Sequence, residues 1–106
     1  PEDYEHSHYT FTVKYIGEEI TGLSWKDFYN RYVELGGDGF YGACKVPYLE
    51  PAFKDLVVNG ESFTKGICPI AEEIQPQIMQ FKTNYKDLSI AEKKAEVLSD
   101  LINSIG

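Results

Sequence analysis

Positive charge is scarce in this 106-residue chain: ten Lys and Arg stand against seventeen Asp and Glu, for a formal net charge of -7 and a pI near 4.7. A surface with that balance repels phosphate backbones and anionic bilayers alike, which argues against nucleic acid and membranes as partners. No apolar run approaches the roughly 20 residues of a membrane-spanning helix, and the N-terminus lacks a basic region followed by an apolar one. A cytoplasmic location is the expectation. Cysteine is limited to Cys44 and Cys68. With 42% hydrophobic and 14% aromatic residues the chain can build one core without a disulfide, so both are expected as free, buried thiols. The Walker pattern is missing, as are internal repeats and low-complexity tracts. The opening residues, Pro1 to Ser7, follow neither a helical nor a strand period and read as a segment entered in mid-chain.

What is present organises into one domain over residues 1–106. Tyr9, Phe11, Val13 and Tyr15 alternate with His8, Thr10, Thr12 and Lys14, a period of two that predicts a half-buried strand with the aromatic set inward. Gly17-Glu18-Glu19 reads as a turn. Ser24, with Asp27 three positions on, reads as the N-cap of a helix to about Leu35, whose buried stripe is Trp25, Phe28, Tyr32 and Leu35. Gly36-Gly37 ends it. Phe40 to Cys44 is expected as a short strand weakened by glycine. Val46 to Gly66 is irregular, with a short helix over Pro51–Leu56 and a turn at Asn59-Gly60. Pro69 opens a short helix that Pro76 ends, and Ile78 to Lys82 is a strand. Ser89-Ile90-Ala91-Glu92 reads as a capping box opening the last helix, with Val97, Leu98, Leu101, Ile102 and Ile105 inward and Glu92, Lys93, Lys94 and Glu96 toward water. The order predicts an α+β fold: a small two-layer sandwich of about three mainly antiparallel strands with helices packed on one side.

Each candidate chemistry competes with a plainer account. His6, His8, Cys44 and Cys68 supply the residue types of a Cys2His2 zinc site, and His-x-His on a strand puts both rings on one face, but the cysteines lack zinc-motif spacing. The expectation is therefore exposed histidines, packed thiols and no metal. Gly36-Gly37-Asp38-Gly39 follows a helix, whereas phosphate loops precede one, so it is read as a helix-ending turn. Cys68 at a helix start would have a lowered pKa if exposed; as a packing residue it would be inert. Glu72 and Glu73 are neighbours pointing in different directions on a helix, which suits interaction with its positive end better than paired acid–base work. The segment Tyr41 to Tyr48 is the main polar-aromatic cluster. Tyr phenols and the Lys45 amine on a loop suit a phosphorylated or hydroxyl-rich ligand, while the plainer account makes both tyrosines core or interface anchors.

Pro47-Tyr48-Leu49-Glu50-Pro51-Ala52-Phe53, Cys68-Pro69-Ile70-Ala71-Glu72 and the acidic, apolar helix opening near Ser89 together resemble the C-terminal small domain of DegT/DnrJ/StrS-type sugar aminotransferases. The resemblance spans most of Tyr9 to Ile105. It implies a part of a fold-type I pyridoxal-phosphate enzyme that moves an amino group from glutamate to a keto nucleotide-sugar. The aldimine lysine, the ring-stacking aromatic and the pyridine-nitrogen aspartate of such enzymes lie in a large domain that this chain does not contain. What the resemblance implies is thus no catalytic residue here, pyridoxal phosphate only in the parent enzyme, a homodimer there, and the large domain as partner. By position Tyr48 falls where many members carry a loop histidine near the sugar nucleotide, with Tyr41 and Lys45 nearby. Tyr cannot shuttle a proton near neutral pH as His can, so Tyr48, Lys45 and Tyr41 are expected only to position a phosphate or sugar hydroxyl. Related dehydratases share the fold and differ at the lysine, which lies outside this sequence.

Two further readings stand beside this one. A free-standing ligand-binding or regulatory module would show a polar uncovered sheet face. A catalytic fragment would show a broad apolar patch there, or an interface made by the helices or by the loop over residues 41–66. Thr10, Thr12 and Lys14 on the outer face of the first strand favour independent solubility. A small metal or thiol enzyme would need His6, His8, Cys44 and Cys68 to converge.

Overall fold

The structure, a computed structural model, describes Asp3 and residues 7–106. His6 lies outside the described residues, so the zinc constellation is not assembled here; His8 is exposed. The fold is a small α+β arrangement, with helices on one side of an antiparallel sheet.

Strand β1 (Thr10–Lys14) is followed not by a bare turn but by a short helix, α1 (Gly17–Thr21), closed by Gly22. Helix α2 (Trp25–Glu34) begins at Ser24 as expected: the Ser24 hydroxyl accepts from the Asp27 backbone N–H at 3.1 Å and donates to Asp27 Oδ2 at 2.6 Å. Its end is a Schellman turn, with Gly37 N–H on Tyr32 O (2.8 Å) and Gly36 N–H on Val33 O (3.0 Å). Gly36 takes φ +95°, a conformation only glycine adopts without strain. Two 3₁₀ turns, Pro47–Leu49 and Pro51–Phe53, stand where a helix over residues 51–56 was expected, because two prolines four residues apart leave too few N–H groups to start a longer one. Asn59-Gly60, both at positive φ, turn the two-residue strands β2 (Val57–Val58) and β3 (Glu61–Ser62) into a hairpin that the pattern did not announce. Helix α3 (Pro69–Ile74) opens on its proline and passes through a 3₁₀ turn at Pro76 into β4 (Ile78–Lys82). Helix α4 spans Leu88–Ile105. Its cap is Asp87, two positions before the expected Ser89: the Asp87 Oδ1 accepts from the Ser89 N–H at 2.9 Å, so the helix is already under way at Leu88.

Strands β1 and β4 pair antiparallel with Thr12 opposite Gln80 and Val13 opposite Met79. The third strand expected at Phe40–Cys44 shrinks to one bridge, Tyr41 with Gln80, bonded in both directions at 3.1 and 2.8 Å. Glycine on both sides of Phe40-Tyr41 leaves too little side chain to hold a longer ladder.

The core lies between β4 and the pair α2 and α4. Phe28, Tyr32, Phe40, Met79 and Leu101 are buried, each worth about 1.5–3 kcal/mol of transfer free energy. Phe40 is its centre: the rings of Trp25, Phe28, Tyr29, Tyr32 and Phe81 all lie with centroids 4.7–6.3 Å from it. Trp25 sends its indole N–H to Ile78 O at 3.1 Å, tying α2 to the start of β4. Four inward expectations fail at the margin of this layer, among them Ile102 of α4, which is 51% exposed. Leu35 is 56% exposed because the Schellman turn carries it past the sheet, and Tyr9 and Phe11 are 88% and 55% exposed because the helices centre on β4 and leave the edge strand β1 half covered. Lys94, expected toward water, folds back onto Asp38 and Gly36.

Candidate functional site

Pro47 and Pro69 set the geometry of the polar-aromatic segment. The first fixes the 3₁₀ turn that carries Tyr48; the second starts α3 so that Glu72 lies one turn in, facing back toward its beginning. The Tyr48 hydroxyl donates to Glu72 Oε1 at 2.5 Å and accepts from Cys68 N–H at 3.0 Å. Gly66 N–H divides between Glu72 Oε1 (2.8 Å) and Oε2 (3.0 Å). The Tyr48 hydroxyl, then the Gly66 and Cys68 N–H groups and the Lys65 charge, hold the Glu72 carboxyl below its ordinary value. Desolvation, then the bond to Glu72, pushes the Tyr48 phenol up to about 12. Chemically this is a brace: a neutral phenol and a charged carboxylate gathering two loop N–H groups. Glu72 therefore serves the loop more than the helix dipole. Gln75 adds a second tie, its Nε2 donating to Ala43 O at 3.1 Å.

The three residues expected to position a ligand do not converge. Tyr48 has its hydroxyl committed within the protein. Tyr41 is 71% exposed on the open face of the sheet, beside a shallow cavity of about 530 Å³ that Thr10, Gln80, Lys82 and Asn84 also line. Lys45 is exposed and makes no ion pair among the described residues. Cys44 and Cys68 are both free, and both exposed where buried thiols were expected; of the segment joining them only Val46 is buried.

A further polar cluster was read only as a helix-ending turn. Asp38 accepts from Tyr85 OH (2.8 Å) and pairs with Lys94 (3.1 Å), with Lys82 at 4.0 Å; Lys94 also donates to Gly36 O at 2.6 Å. The Tyr85 hydroxyl bond is the main cause of the lowered Asp38 carboxyl, and burial with the Asp38 bond raises the Tyr85 phenol. Nothing in the local sequence joins residue 38 to residues 85 and 94; only the fold does.

No lysine is buried; the best covered, Lys94, is tied to Asp38 and Gly36. The chain thus offers no desolvated amine of the kind a pyridoxal aldimine needs, and no step through that cofactor is derived for it.

Between Val46 and Met79 no residue is buried, and Leu49, Phe53, Leu56, Val57, Val58, Ile67 and Ile70 are 40–72% exposed. The radius of gyration is 17.6 Å, against about 13 Å for a compact chain of this length. The uncovered sheet face, in contrast, is polar, with Thr10, Thr12, Gln80 and Tyr41 along it.

Comparison of the chain with protein-family models, with curated proteins and with solved structures gives no match. No helix among the described residues is long and apolar enough to cross a membrane.

Proposed function

We propose that this chain is the small C-terminal domain of a pyridoxal-phosphate-dependent sugar aminotransferase, transferring an amino group from glutamate to a keto nucleotide-sugar and catalytically incomplete by itself. The observation that carries the reading is the excursion over residues 47–78, which exposes seven large apolar side chains and buries none. Exposed apolar side chains in that number along one stretch are what a docked large domain would cover. The order of the Pro47–Phe53, Cys68–Glu72 and α4 segments supports the same assignment. In the parent enzyme the Tyr48–Glu72 brace would set the loop that faces the nucleotide-sugar, while Tyr41 and Lys45 would offer a hydroxyl and an ammonium to it.

A free-standing ligand-binding module is the second reading, favoured by the polar open face of the sheet. Expressing in full the reading frame that contains this chain separates the two. The first expects a larger protein with the visible absorbance of a lysine–pyridoxal aldimine, bleached by glutamate. A frame holding no such lysine overturns it and leaves the binding module.

A further inference from the structure

Strand β1 has one open edge. The Tyr15 N–H bonds Gln77 O at 2.7 Å, one step beyond the Lys14–Ile78 pair, so Phe11, Val13 and Tyr15 turn their N–H and C=O groups toward β4. Alternation then sends those of Thr10, Thr12 and Lys14 outward. Gln80 shows the same alternation from the other strand: it stands opposite Thr12 and exchanges its N–H and C=O with Tyr41, away from β1. Among the described residues no backbone bond uses the outward groups of Thr10, Thr12 and Lys14, and no strand lies beyond them. Proline, a bulge or an inward charge would blunt such an edge. Strand β1 has none of these, and its one charged residue, Lys14, stands on the open face of the sheet.

Both faces constrain what pairs with this edge. On the helix side Phe11 (55% exposed), Ile20 (70%) and Ile102 (51%) border an apolar groove of about 430 Å³ that runs along β1. On the other side stand Thr10, Thr12 and Lys14. An incoming strand must alternate apolar side chains toward the groove with polar ones toward the open face, and β1 itself has that pattern. Antiparallel pairing of two copies about a two-fold axis at Thr12 sets Thr10 of each opposite Lys14 of the other, and Phe11 opposite Val13. This register pairs all three outward residues of the strand. From His8 to Ile16 the chain, for all its net charge of -7, carries no carboxylate, so two copies meet there without acidic side chains in contact. The Tyr41 bridge occupies the far side of β4, so the four strands close at a dimer.

We propose that two copies of this chain associate through β1, antiparallel about Thr12, into a continuous four-stranded sheet. The interface lies apart from the residue 47–78 excursion and does not rest on the aminotransferase reading.

Sedimentation equilibrium of the 106-residue chain over a range of concentrations, with amide exchange followed by NMR, tests it. The expected result is a reversible monomer–dimer equilibrium that ends at twice 12.1 kDa and tightens with added salt, which screens the charge of -7 on each copy. The Thr10, Thr12 and Lys14 amides should exchange at least tenfold more slowly where the dimer forms, while those of Phe11 and Val13, already bonded to β4, change less. Thr12→Pro deletes the N–H at the axis, and Thr12→Glu sets two carboxylates opposite each other. Each should weaken the dimer at least tenfold, and circular dichroism melts identify the variants that keep the fold. Ile70→Gln, at an exposed position of the excursion, should leave the dimer unchanged. A chain that stays monomeric at every concentration overturns the proposal. So does a dimer that survives the folded Thr12 variants, or one that Ile70→Gln dissociates, which would place the contact on the excursion.

Discussion

The Tyr48 hydroxyl and the Glu72 carboxylate meet at 2.5 Å across 24 positions of sequence, and the backbone N–H groups of Gly66 and Cys68 close on the same pair. This one contact joins the start of a long exposed excursion to its return. Because no residue between Val46 and Met79 is buried, polar bonds and not core packing hold that excursion in place.

Tyr48→Phe removes the shared hydroxyl and leaves the Cys68 N–H without its acceptor. Loosening should be confined to the excursion, where the segment opens without the core. Trypsin cleavage after Lys54 and Lys65 is expected to quicken several-fold while the melting temperature of the domain stays nearly unchanged. An equal fall in thermal stability would show that the brace also supports the core.

The same brace sets a pH dependence. The Glu72 carboxyl is held below its ordinary value of 4.5, chiefly by the Tyr48 hydroxyl, so its contribution is complete above that value and drains away as pH falls through the lowered folded value. The Gly66 amide resonance, followed by NMR from neutral pH downward, should move with a midpoint below 4.5 and then exchange faster. In Tyr48→Phe the midpoint should rise toward the ordinary carboxylate range.

Asp38→Asn weakens the bonds that fasten the turn after α2 to Tyr85 and to Lys94 of α4. A loss of about 1–2 kcal/mol is expected, which in a domain of this size lowers the melting temperature by about 5–10 °C. Since the Asp38 carboxyl is lowered, first by Tyr85 and then by Lys94 and Lys82, the wild-type advantage over Asp38→Asn should vanish as pH falls through its folded value. Thermal melts of both proteins across the acid range measure this.

Phe40→Ala empties the centre of the aromatic cluster. Removal of a buried phenyl ring costs about 3–5 kcal/mol, a large part of the roughly 5–15 kcal/mol that holds a domain together. The variant is expected to be largely unfolded at 37 °C by circular dichroism, whereas Tyr41→Ala, next to it but 71% exposed, should melt within a few degrees of the wild type.

Much of this architecture was legible residue by residue. The first strand, α2 with its Ser24 cap, the glycine stop, the proline start of α3 and the long apolar helix α4 each rest on bonds or packing within a few neighbouring positions, and each recurs in the structure, although Tyr9, Phe11, Leu35 and Ile102 of the expected inward faces are exposed. The misses were of another kind. Asp87 displaced Ser89 as a cap because two good capping residues stood two positions apart. Phe40–Cys44 lost its ladder because pairing depended on glycine-flanked residues far from their partner β4. Of the candidate site, Tyr48 was singled out, but its partner Glu72 was read with its own helix because nothing local points across 24 residues.

By itself the sequence determined an acidic α+β chain, the places where its helices start and stop, and which residues are able to form a core, since these follow from composition, backbone preference and short-range periodicity. Only the tertiary structure decided which of the apolar residues are covered. Phe11, Leu35 and Ile102 carry the same hydrophobic signal as Val13, Phe28 and Leu101, yet are left exposed, because burial depends on where α2 and α4 come to rest over β4. The pairing of Tyr48 with Glu72 and the fastening of Asp38 to Tyr85 and Lys94 were decided at the same level, by distances between side chains that the chain order keeps far apart.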